Sequence, residues 1–492
     1  MLKKLDILLV APSNRREQFA ELSELATVAQ PVGISSMANY LISSGINAEV
    51  LDAEANNYTV QQTIDCILDK KPTIMGISAF TTKMDSAISI IQGLKATDII
   101  TVIGGNHAST IPLQTLQETG ADYLVRGEGY SSLLAICLAY KNIRPYNSDI
   151  IETIPGLCYL DKFNTMSPHI SERNVEKFDN NFFPEYGYEL LDMNKYRAHH
   201  WQTWGMDTEY RNSFAIVYSS LGCPFKCDFC TVNSIYGDNK VRYKEPKKFV
   251  DEIEYLHNTY GTKYFEITDD TFTFNKQRVI EICKEMIRRG LGQKIHVWCF
   301  GRVSTVDPTI LALLRAAGID WIFFGFESSS EESLKGVNKN QTVGQMIEVR
   351  NVCRSIDISV GGNFLFGLPE DTHETMKGNL QLAHELNCEY ANFFLLMPYP
   401  GTKYYEMAKE SGYPLPKRWN DYGFFAPGAV PMSSENLTAR EIVEFRDKAF
   451  VEYFSSDSYQ NMIKSKFGQE TIDFINNRIL SKSIKRDILC QN

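Results

Sequence analysis

Two series of short apolar runs, each run followed by an amphipathic stretch of helical length, constrain the fold of this 492-residue chain. The first series has five runs between residues 5 and 126, and the second has six between residues 214 and 396. Strands that alternate with helices indicate parallel βαβ units. We therefore predict an α/β protein with a doubly wound, Rossmann-like (flavodoxin-like) domain followed by a partial (β/α)6 barrel.

The stretches outside these two series set the predicted domain boundaries. Residues 146–205 are rich in Pro, Asn and aromatic side chains, which is typical of a linker and a capping segment. The chain after about residue 432 has the pattern of polar helices. We predict a first domain at 1–145, a linker and capping segment at 146–211, a barrel at 212–405 and a helical C-terminal region at 406–492.

Composition and charge narrow the possible partners and location. The formal net charge of −10 argues against a nonspecific nucleic-acid binder and against a polybasic membrane anchor. The first residues, "MLKKLDILLVAPSN", contain an apolar run that is too short for a signal peptide and is interrupted by Asp6. No apolar run approaches the ~20 residues that span a bilayer. We predict a cytoplasmic protein with no nucleic-acid partner and no membrane span.

The breaks after the strands of the first series indicate a ligand-binding edge. They read "APSN", "AFTT", "GGNHAS" and "RGEGY", and are small, hydroxylated or glycine-rich. Open α/β sheets bind ligands at the carboxyl ends of their strands, where glycine lets a backbone approach a ligand closely. Tight turns without a ligand are the alternative interpretation of these breaks.

Three cysteines follow the first strand of the second series, in the stretch "SSLGCPFKCDFC". Cys223, Cys227 and Cys230 therefore stand at the edge where a barrel keeps its active site. Three thiolates at this spacing can ligate three irons of a 4Fe–4S cluster and leave the fourth iron open. A structural zinc site would need a fourth ligand, and no other cysteine belongs to a paired motif nearby. We predict a cluster with one open iron.

With Phe229 before the last cysteine, this motif resembles that of the radical S-adenosylmethionine (SAM) superfamily. The resemblance implies that the open iron chelates SAM, whose reductive cleavage yields a 5′-deoxyadenosyl radical. It extends over about residues 212–405 and implies further SAM contacts at the ends of later strands. These are Asp269 and Asp270 for the ammonium, Arg302 for the carboxylate, Glu327 and Ser328 for the ribose, and Gly362 and Asn363 near the adenosine.

The first domain resembles the cobalamin-binding domain of one radical SAM subgroup. The sequence lacks the Asp-x-His-x-x-Gly motif, and His107 is the only histidine before residue 169, so the resemblance implies a cobalt without a histidine beneath it. An empty flavodoxin-like accessory domain is the alternative. The resemblance places Ser78 and Thr81 under the corrin ring, Gly104, Gly105 and Asn106 at the nucleotide tail, and Glu128 and Gly129 nearby.

The segment "YRAHHWQTWG" at 196–205 allows two interpretations. Its side chains either line the space between corrin and barrel, where aromatics would exclude water, or form an ordinary packed plug. We also expect the C-terminal helices to cap the open face of the barrel. The residues concerned are Arg197, His199, His200, Trp201 and Trp204.

The resemblance implies a cobalamin-dependent radical SAM enzyme, and we expect a methyltransferase that acts on an unactivated carbon of a small biosynthetic intermediate. One SAM would supply the methyl group through cobalamin, a second would supply the radical, and flavodoxin or ferredoxin would donate electrons. A cyclase, ring-contraction or rearrangement enzyme is the alternative, and a non-catalytic cobalamin sensor is less favoured. A methylthiotransferase is excluded, because the first domain holds only Cys66 and Cys137 and lacks the three cluster cysteines of that family.

Overall fold

The computed structural model describes residues 4–142, 153–160, 168–174, 185–206, 211–237, 239–482 and 484–490. Much of the predicted linker and capping segment lies outside the described residues. The described part contains two large sheets, one in each predicted α/β domain, and confirms the α/β fold class. None of the helices in the described ranges has the length and apolarity needed to cross a membrane.

The first sheet has the doubly wound order predicted from the sequence. Its strands run in the order β2-β1-β3-β4-β5-β6-β7, and the first five are parallel. The antiparallel β6 and β7 were not predicted, because they are short and lie in the stretch interpreted as a linker. The strands are β1 (Ile7–Ala11), β2 (Ala48–Asp52), β3 (Ile74–Ser78), β4 (Ile100–Gly104), β5 (Tyr123–Val125), β6 (Leu157–Tyr159) and β7 (His169–Ile170).

Helices cover both faces of this sheet. On β1, Ile7 and Leu9 are buried in one hydrophobic cluster, whereas Leu8 and Val10 are buried in another. Because side chains alternate across a strand, this division places an apolar core on each side of the sheet. The helices are α1 (Arg15–Phe19), α2 (Val32–Ser43), α3 (Val60–Lys70), α4 (Met84–Gly93), α5 (Asn106–Thr110), α6 (Pro112–Thr119) and α7 (Tyr130–Asn142).

The second sheet is a partial barrel of six parallel strands. Its order is β8-β11-β12-β13-β14-β15, and no described pairing joins the two outer strands, so the predicted partial barrel is confirmed. The first apolar run of the second series, which begins at residue 214, breaks after Val217, and the residues that follow form a separate hairpin of β9 with β10. The strands are β8 (Phe214–Val217), β9 (Ser220–Leu221), β10 (Arg242–Tyr243), β11 (Tyr264–Ile267), β12 (His296–Gly301), β13 (Ile319–Glu327), β14 (Ser359–Phe366) and β15 (Tyr390–Leu395).

Helices connect the barrel strands and form the C-terminal region. The stretch 411–438 is not α-helical, which corrects the prediction that the whole region after 405 is helical. The helices are α8 (Val232–Tyr236), α9 (Pro246–Tyr260), α10 (Lys276–Arg288), α11 (Pro308–Ala316), α12 (Glu331–Gly336), α13 (Val343–Ser355), α14 (His373–Leu386), α15 (Lys403–Glu410), α16 (Ala439–Ser455), α17 (Asp457–Phe467), α18 (Gln469–Phe474) and α19 (Asp487–Cys490).

The histidine- and tryptophan-rich segment closes the N-terminal end of the barrel. The Trp201 ring lies 4.9 Å from that of Trp321 and 5.9 Å from that of Tyr390, the first residue of β15. His199 stacks on Trp201, and His200 packs against Trp204. Because the cysteines follow the opposite ends of the strands, this segment is a packed plug, and its placement contradicts the alternative in which these aromatics line the corrin site. Arg197 lies at the edge of the plug and donates to the Ala26 carbonyl at 3.2 Å.

The C-terminal helices do not cap the open face, and that expectation was wrong. On α16, Arg446 donates to the Phe393 carbonyl at 2.7 Å and Tyr453 to the Cys388 carbonyl at 2.6 Å. On α17, Phe467 stacks on Trp321 with 6.0 Å between ring centroids. These helices therefore cover the edge strand β15 and close the end of the barrel where the plug lies, because an edge strand leaves backbone groups that must be satisfied.

Candidate active site

The three cysteines lie on the loop between β9 and α8, at the carboxyl end of the barrel. Their thiols are free and half-buried. The loop is compact, since Cys230 N–H donates to the Cys227 carbonyl at 3.0 Å and Cys223 Sγ lies 3.6 Å from Thr271 Oγ1. Gly222 opens it with φ +94°, and a Cβ there would lie 2.3 Å from the Lys240 carbonyl oxygen. Only glycine therefore fits where the loop leaves the hairpin.

Asp269 positions this loop. Its carboxylate accepts from Ser219 N–H at 2.6 Å and from the Ser220 hydroxyl at 2.6 Å, and its side chain is fully buried. Arg278 donates to the Ser219 carbonyl at 2.6 Å and completes the network. These donors occupy the Asp269 carboxylate, and its expected contact with the SAM ammonium stays a prediction.

Asp270 is the acidic residue of this pair that stays available. It is half-buried, and it accepts from Gly222 N–H at 3.2 Å. Burial, and next the charge of Asp269, raise the pKa of Asp270 to about 6. A bound ammonium group would favour its charged form. The contact of Asp270 with the SAM ammonium stays a prediction.

Arg302 supplies a cation beside the cysteines. Its Nη1 lies 3.7 Å from Cys227 Sγ, and its guanidinium lies 4.0 Å from the centre of the Phe225 ring. Burial raises the pKa of Cys227 and raises that of Cys230 to about 12, so both thiols are protonated until a metal displaces their protons. Among the described residues, the Arg302 Nε has no hydrogen-bond partner although it is buried, so the guanidinium can still bind a carboxylate.

The donor set suits an iron–sulfur cluster better than a single ion. Within the described ranges, no three His, Cys, Asp or Glu side chains converge in a way that would hold one metal ion. In a 4Fe–4S cluster each thiolate binds a different iron. The three sulfurs of this loop therefore do not need to converge on a single point to hold the cluster. Cys223, Cys227 and Cys230 would therefore hold a cluster, with Arg302 compensating part of its negative charge.

A cavity of about 210 Å³ lies beside the cysteine loop. It brings together Phe229, Glu327 and Asn363, three of the residues expected to contact SAM. An apolar lining with few polar groups is typical of a small-molecule site and fits a nucleoside. The rest of its lining is Leu365, Phe394, Leu395, Leu396, Met397, Tyr399 and Phe424.

Two predicted SAM contacts do not face this cavity. Ser328 is 1% exposed, and its hydroxyl accepts from Ser330 N–H at 3.1 Å, so it supports the turn before α12. A Cβ on Gly362 would lie 2.8 Å from the Phe364 ring and 3.2 Å from Cys388 Sγ, so this position faces packed side chains. The expected contacts of both residues with SAM stay predictions.

Lys339 is a functional candidate that the sequence reasoning missed. Its ammonium donates to Glu327 Oε1 at 2.6 Å, and both side chains are about nine-tenths buried. Glu327 also adopts φ +64°, an uncommon backbone conformation for a residue with a side chain. Lys339 comes from the connection after α12, and no motif or spacing marks it. The pair fixes the Glu327 carboxylate at the cavity wall.

In the first domain, the structure gathers several predicted residues at the carboxyl edge of β3 and β4. Ser78 is exposed, and Asn106 opens α5. Gly105 has φ +98°, and a Cβ there would lie 2.7 Å from Ser78 Oγ and 2.9 Å from the Ala79 carbonyl oxygen. Gly104, the last residue of β4, accepts from Ala79 N–H at 3.3 Å. Because Gly104 and Gly105 have no side chains, this edge allows the close approach of a large planar ligand.

The other predicted cobalamin contacts have partners within the protein. Glu128 forms an ion pair with Arg242 of β10, so its carboxylate joins the two domains. Gly129 packs against the Met37 side chain, to which a Cβ would come within 3.2 Å. Thr81 Oγ1 lies 3.1 Å from His107 Nδ1. The ion pair of Glu128 and the packing of Gly129 are contacts within the protein, and the expected position of both residues near the nucleotide tail stays a prediction.

Two family models match the chain in agreement with this geometry. The B12 binding domain matches residues 22–136, and the Radical SAM superfamily matches residues 217–383. The first match contains the strand edge around Gly105, and the second contains all three cluster cysteines. The chain belongs to the cobalamin-dependent radical SAM enzymes.

Relatives of this cobalamin-dependent radical SAM enzyme include proteins of two named activities. It is 28% identical to an uncharacterized methyltransferase of Pyrococcus horikoshii, covering 92% of this chain and 93% of the relative. It is also 28% identical to the anaerobic magnesium-protoporphyrin IX monomethyl ester cyclase of Rubrivivax gelatinosus, covering 88% and 77%. The solved structure of the radical SAM methyltransferase TsrM from Kitasatospora setae shares the fold, with TM-score 0.64 and 20% identity, over 82% of this chain and 76% of that one.

One buried carboxyl inside this enzyme's barrel gives a pH-dependent prediction. Burial raises the pKa of Glu266 to about 8, and the pKa of His199, whose Nε2 lies 4.0 Å away, is lowered to about 3 by burial. Between about pH 4.5 and pH 8 Glu266 holds a proton in the folded protein that it releases in the unfolded chain, so the contribution of Glu266 to stability falls as pH rises. Glu266→Gln removes this titration. The free energy of unfolding of the variant relative to wild type should therefore rise by on the order of 4 kcal/mol between about pH 5 and pH 8.5, measured by urea unfolding at both pH values.

An equal difference between the two proteins at both pH values would contradict this assignment. Glu285 on α10 provides the control, because two arginines lower its pKa to about 2 and no charge change falls within the window. Glu285→Gln should differ from wild type by the same amount at both pH values.

Proposed function

We propose that this enzyme is a methyltransferase that adds a methyl group to an unactivated carbon of a small biosynthetic intermediate. When bound, cobalamin carries the methyl group, and the cluster with SAM supplies a radical that removes a hydrogen atom from the substrate. We further propose that it works in the cytoplasm with electrons from a flavodoxin or a ferredoxin. Methyltransferases among its relatives support the reaction type.

The observation that carries this proposal is the direct contact between the two cofactor-binding edges. Arg173 donates to the Ser109 carbonyl on α5 at 3.2 Å and also to the Ile235 carbonyl on α8. A Cβ on Gly401 would lie 2.4 Å from Thr110 and 3.0 Å from Ser234, so the barrel loop also packs between these helices. The helix after the cysteines thus lies against the helix after β4, and this contact supports our inference that both cofactors share one chamber.

The chain's own residues prepare that chamber. Asp270 and Arg302 present one acidic and one basic group beside the cysteine loop, suited to the two charged ends of an amino acid. Glu327 and Asn363 provide polar contacts in an otherwise apolar cavity. Trp201 and its aromatic neighbours close the far end of the barrel and exclude water from a radical.

Labelled SAM tests the proposal. The protein, reconstituted anaerobically with iron, sulfide and cobalamin, receives reductant, SAM deuterated in its methyl group and a small-molecule extract. We expect 5′-deoxyadenosine, S-adenosylhomocysteine and a metabolite heavier by a deuterated methyl group in mass spectrometry. Cys227→Ala protein treated in the same way is the matched control and should yield neither 5′-deoxyadenosine nor the labelled metabolite.

A cyclase is the second candidate, favoured by the 28% identity to a magnesium-protoporphyrin IX monomethyl ester cyclase. The same experiment separates the two, because a cyclase yields 5′-deoxyadenosine with an altered metabolite that carries no deuterium. That product would replace the methyltransferase assignment. Deoxyadenosine formation in the Cys227→Ala control would contradict both candidates.

A further inference from the structure

We propose that the substrate carries a basic nitrogen, which enters the interior of the barrel as a cation and binds the Glu266 carboxylate. Glu266 lies on β11 and is 8% exposed. The pairing of β11 with β12 places it beside Trp298, and its Oε2 lies 4.0 Å from His199 Nε2 in the plug. The carboxylate therefore faces the barrel interior, next to the plug. The inference rests on the proposed function only in taking this ligand to be the substrate.

The barrel interior joins this position to the cavity beside the cysteine loop. On β15, Tyr390 contacts Trp201 of the plug, and Asn392 donates to Asn363 Oδ1 at 2.9 Å. Phe394, two residues further along, lines the cavity. Because alternate residues of a strand share a face, these side chains mark one continuous wall from the plug to the cavity. A ligand held at the plug end would thus lie within the barrel below the cavity that fits a nucleoside.

Aromatic rings line this end of the interior, and no cation of the protein compensates the carboxylate. The Trp298 ring lies 5.0 Å from that of Phe300 and 5.2 Å from that of Phe323. The Trp201 ring lies 4.7 Å from that of Phe323. Among the residues that the structure describes, no lysine or arginine lies within ion-pair distance of Glu266. A carboxylate beside aromatic rings suits a cation, because the faces of the rings also attract positive charge.

The titratable groups around Glu266 leave it without a positive neighbour near pH 7. Burial raises the pKa of Glu266 to about 8, and the Thr268 hydroxyl lowers it by a smaller amount. His199 is neutral, because burial lowers its pKa to about 3. Burial, and next the charge of Glu266, raise the pKa of Tyr218 at the end of β8, so this phenol is neutral as well. Glu266 therefore holds a proton in the free protein, and a bound cation favours its release to solvent.

Titration of benzylamine into the reconstituted protein near pH 7 tests this inference without turnover. Wild type should bind benzylamine at least about tenfold more tightly than benzyl alcohol, its neutral analogue of similar size. Binding should also release a proton from Glu266, which isothermal titration calorimetry detects in two buffers of different ionisation enthalpy. Glu266→Gln should lose both the preference for the amine and the proton release. Glutamine has the size of a protonated glutamate, so the variant keeps the packing of the barrel.

Glu285→Gln is the matched control, because Glu285 lies on α10, one of the helices outside the strands of the barrel, and should bind benzylamine as wild type does. Absence of benzylamine binding in wild type, or equal affinity for the amine and the alcohol, would overturn the inference. Wild-type affinity for benzylamine in Glu266→Gln would overturn it as well. Failure of the proposed methyl transfer would appear separately, as the absence of a deuterated metabolite, and would leave amine binding unchanged.

Discussion

Cys227→Ala is expected to abolish assembly of a stable cluster and to lower reductive SAM cleavage by more than about a thousandfold. Removing one of three thiolates leaves a second iron without a protein ligand, and the cube cannot be held by the remaining pair. The loss should appear as missing iron and labile sulfide after anaerobic reconstitution, and as missing 5′-deoxyadenosine in the presence of SAM and dithionite.

The control for this change is another cysteine of the same chain. Cys490→Ala removes an exposed thiol on the last described helix and should leave iron content and SAM cleavage at wild-type levels. Cys227→Ala should also bind hydroxocobalamin as wild type does, because the β3–β4 edge does not depend on the cysteine loop. A full iron complement in Cys227→Ala would show that another group provides the third ligand and would contradict the assignment of Cys227 as a cluster ligand.

Strand periodicity made most of the fold predictable. All five apolar runs of the first series form strands, β1 to β5, and the order of both sheets follows from alternating strands and helices. The hairpin of β9 with β10 was missed, because two-residue strands carry no periodicity. The path of the C-terminal helices was also missed. An amphipathic pattern identifies a helix and its apolar face, and the partner of that face depends on long-range packing.

Site residues were predictable where a motif fixes the backbone, and not where one side chain meets another. The three cysteines lie together because their spacing is local. Asp269 and Asp270 are adjacent in sequence and differ in role, because Ser219 and Ser220 fold back onto only one of them. Strand ends indicate which residues reach the active edge, and the hydrogen bonds of each side chain decide which remain open to a ligand.

The contact of Lys339 with Glu327 is another pairing of side chains that the sequence pattern does not predict. Lys339→Met should lower the free energy of unfolding by about 3–5 kcal/mol. Both partners of the pair are about nine-tenths buried, so removing the ammonium leaves the Glu327 carboxylate uncompensated in a low-dielectric site. Urea unfolding followed by tryptophan fluorescence measures the change, because several tryptophans lie in the barrel core.

Two further variants separate the charge from the packing. Lys335→Met removes the ammonium of an exposed pair with Glu331, which is worth about 0–1 kcal/mol, and should have little effect. The double variant Lys339→Met/Glu327→Gln should recover most of the lost stability, since the amide carries no charge to leave unpaired. The double variant should still bind SAM more weakly than wild type, because the Glu327 carboxylate lines the cavity.

If Lys339→Met were as stable as wild type, the carboxylate would have to be neutral in the folded protein, and the pair would not be the ionic contact described here.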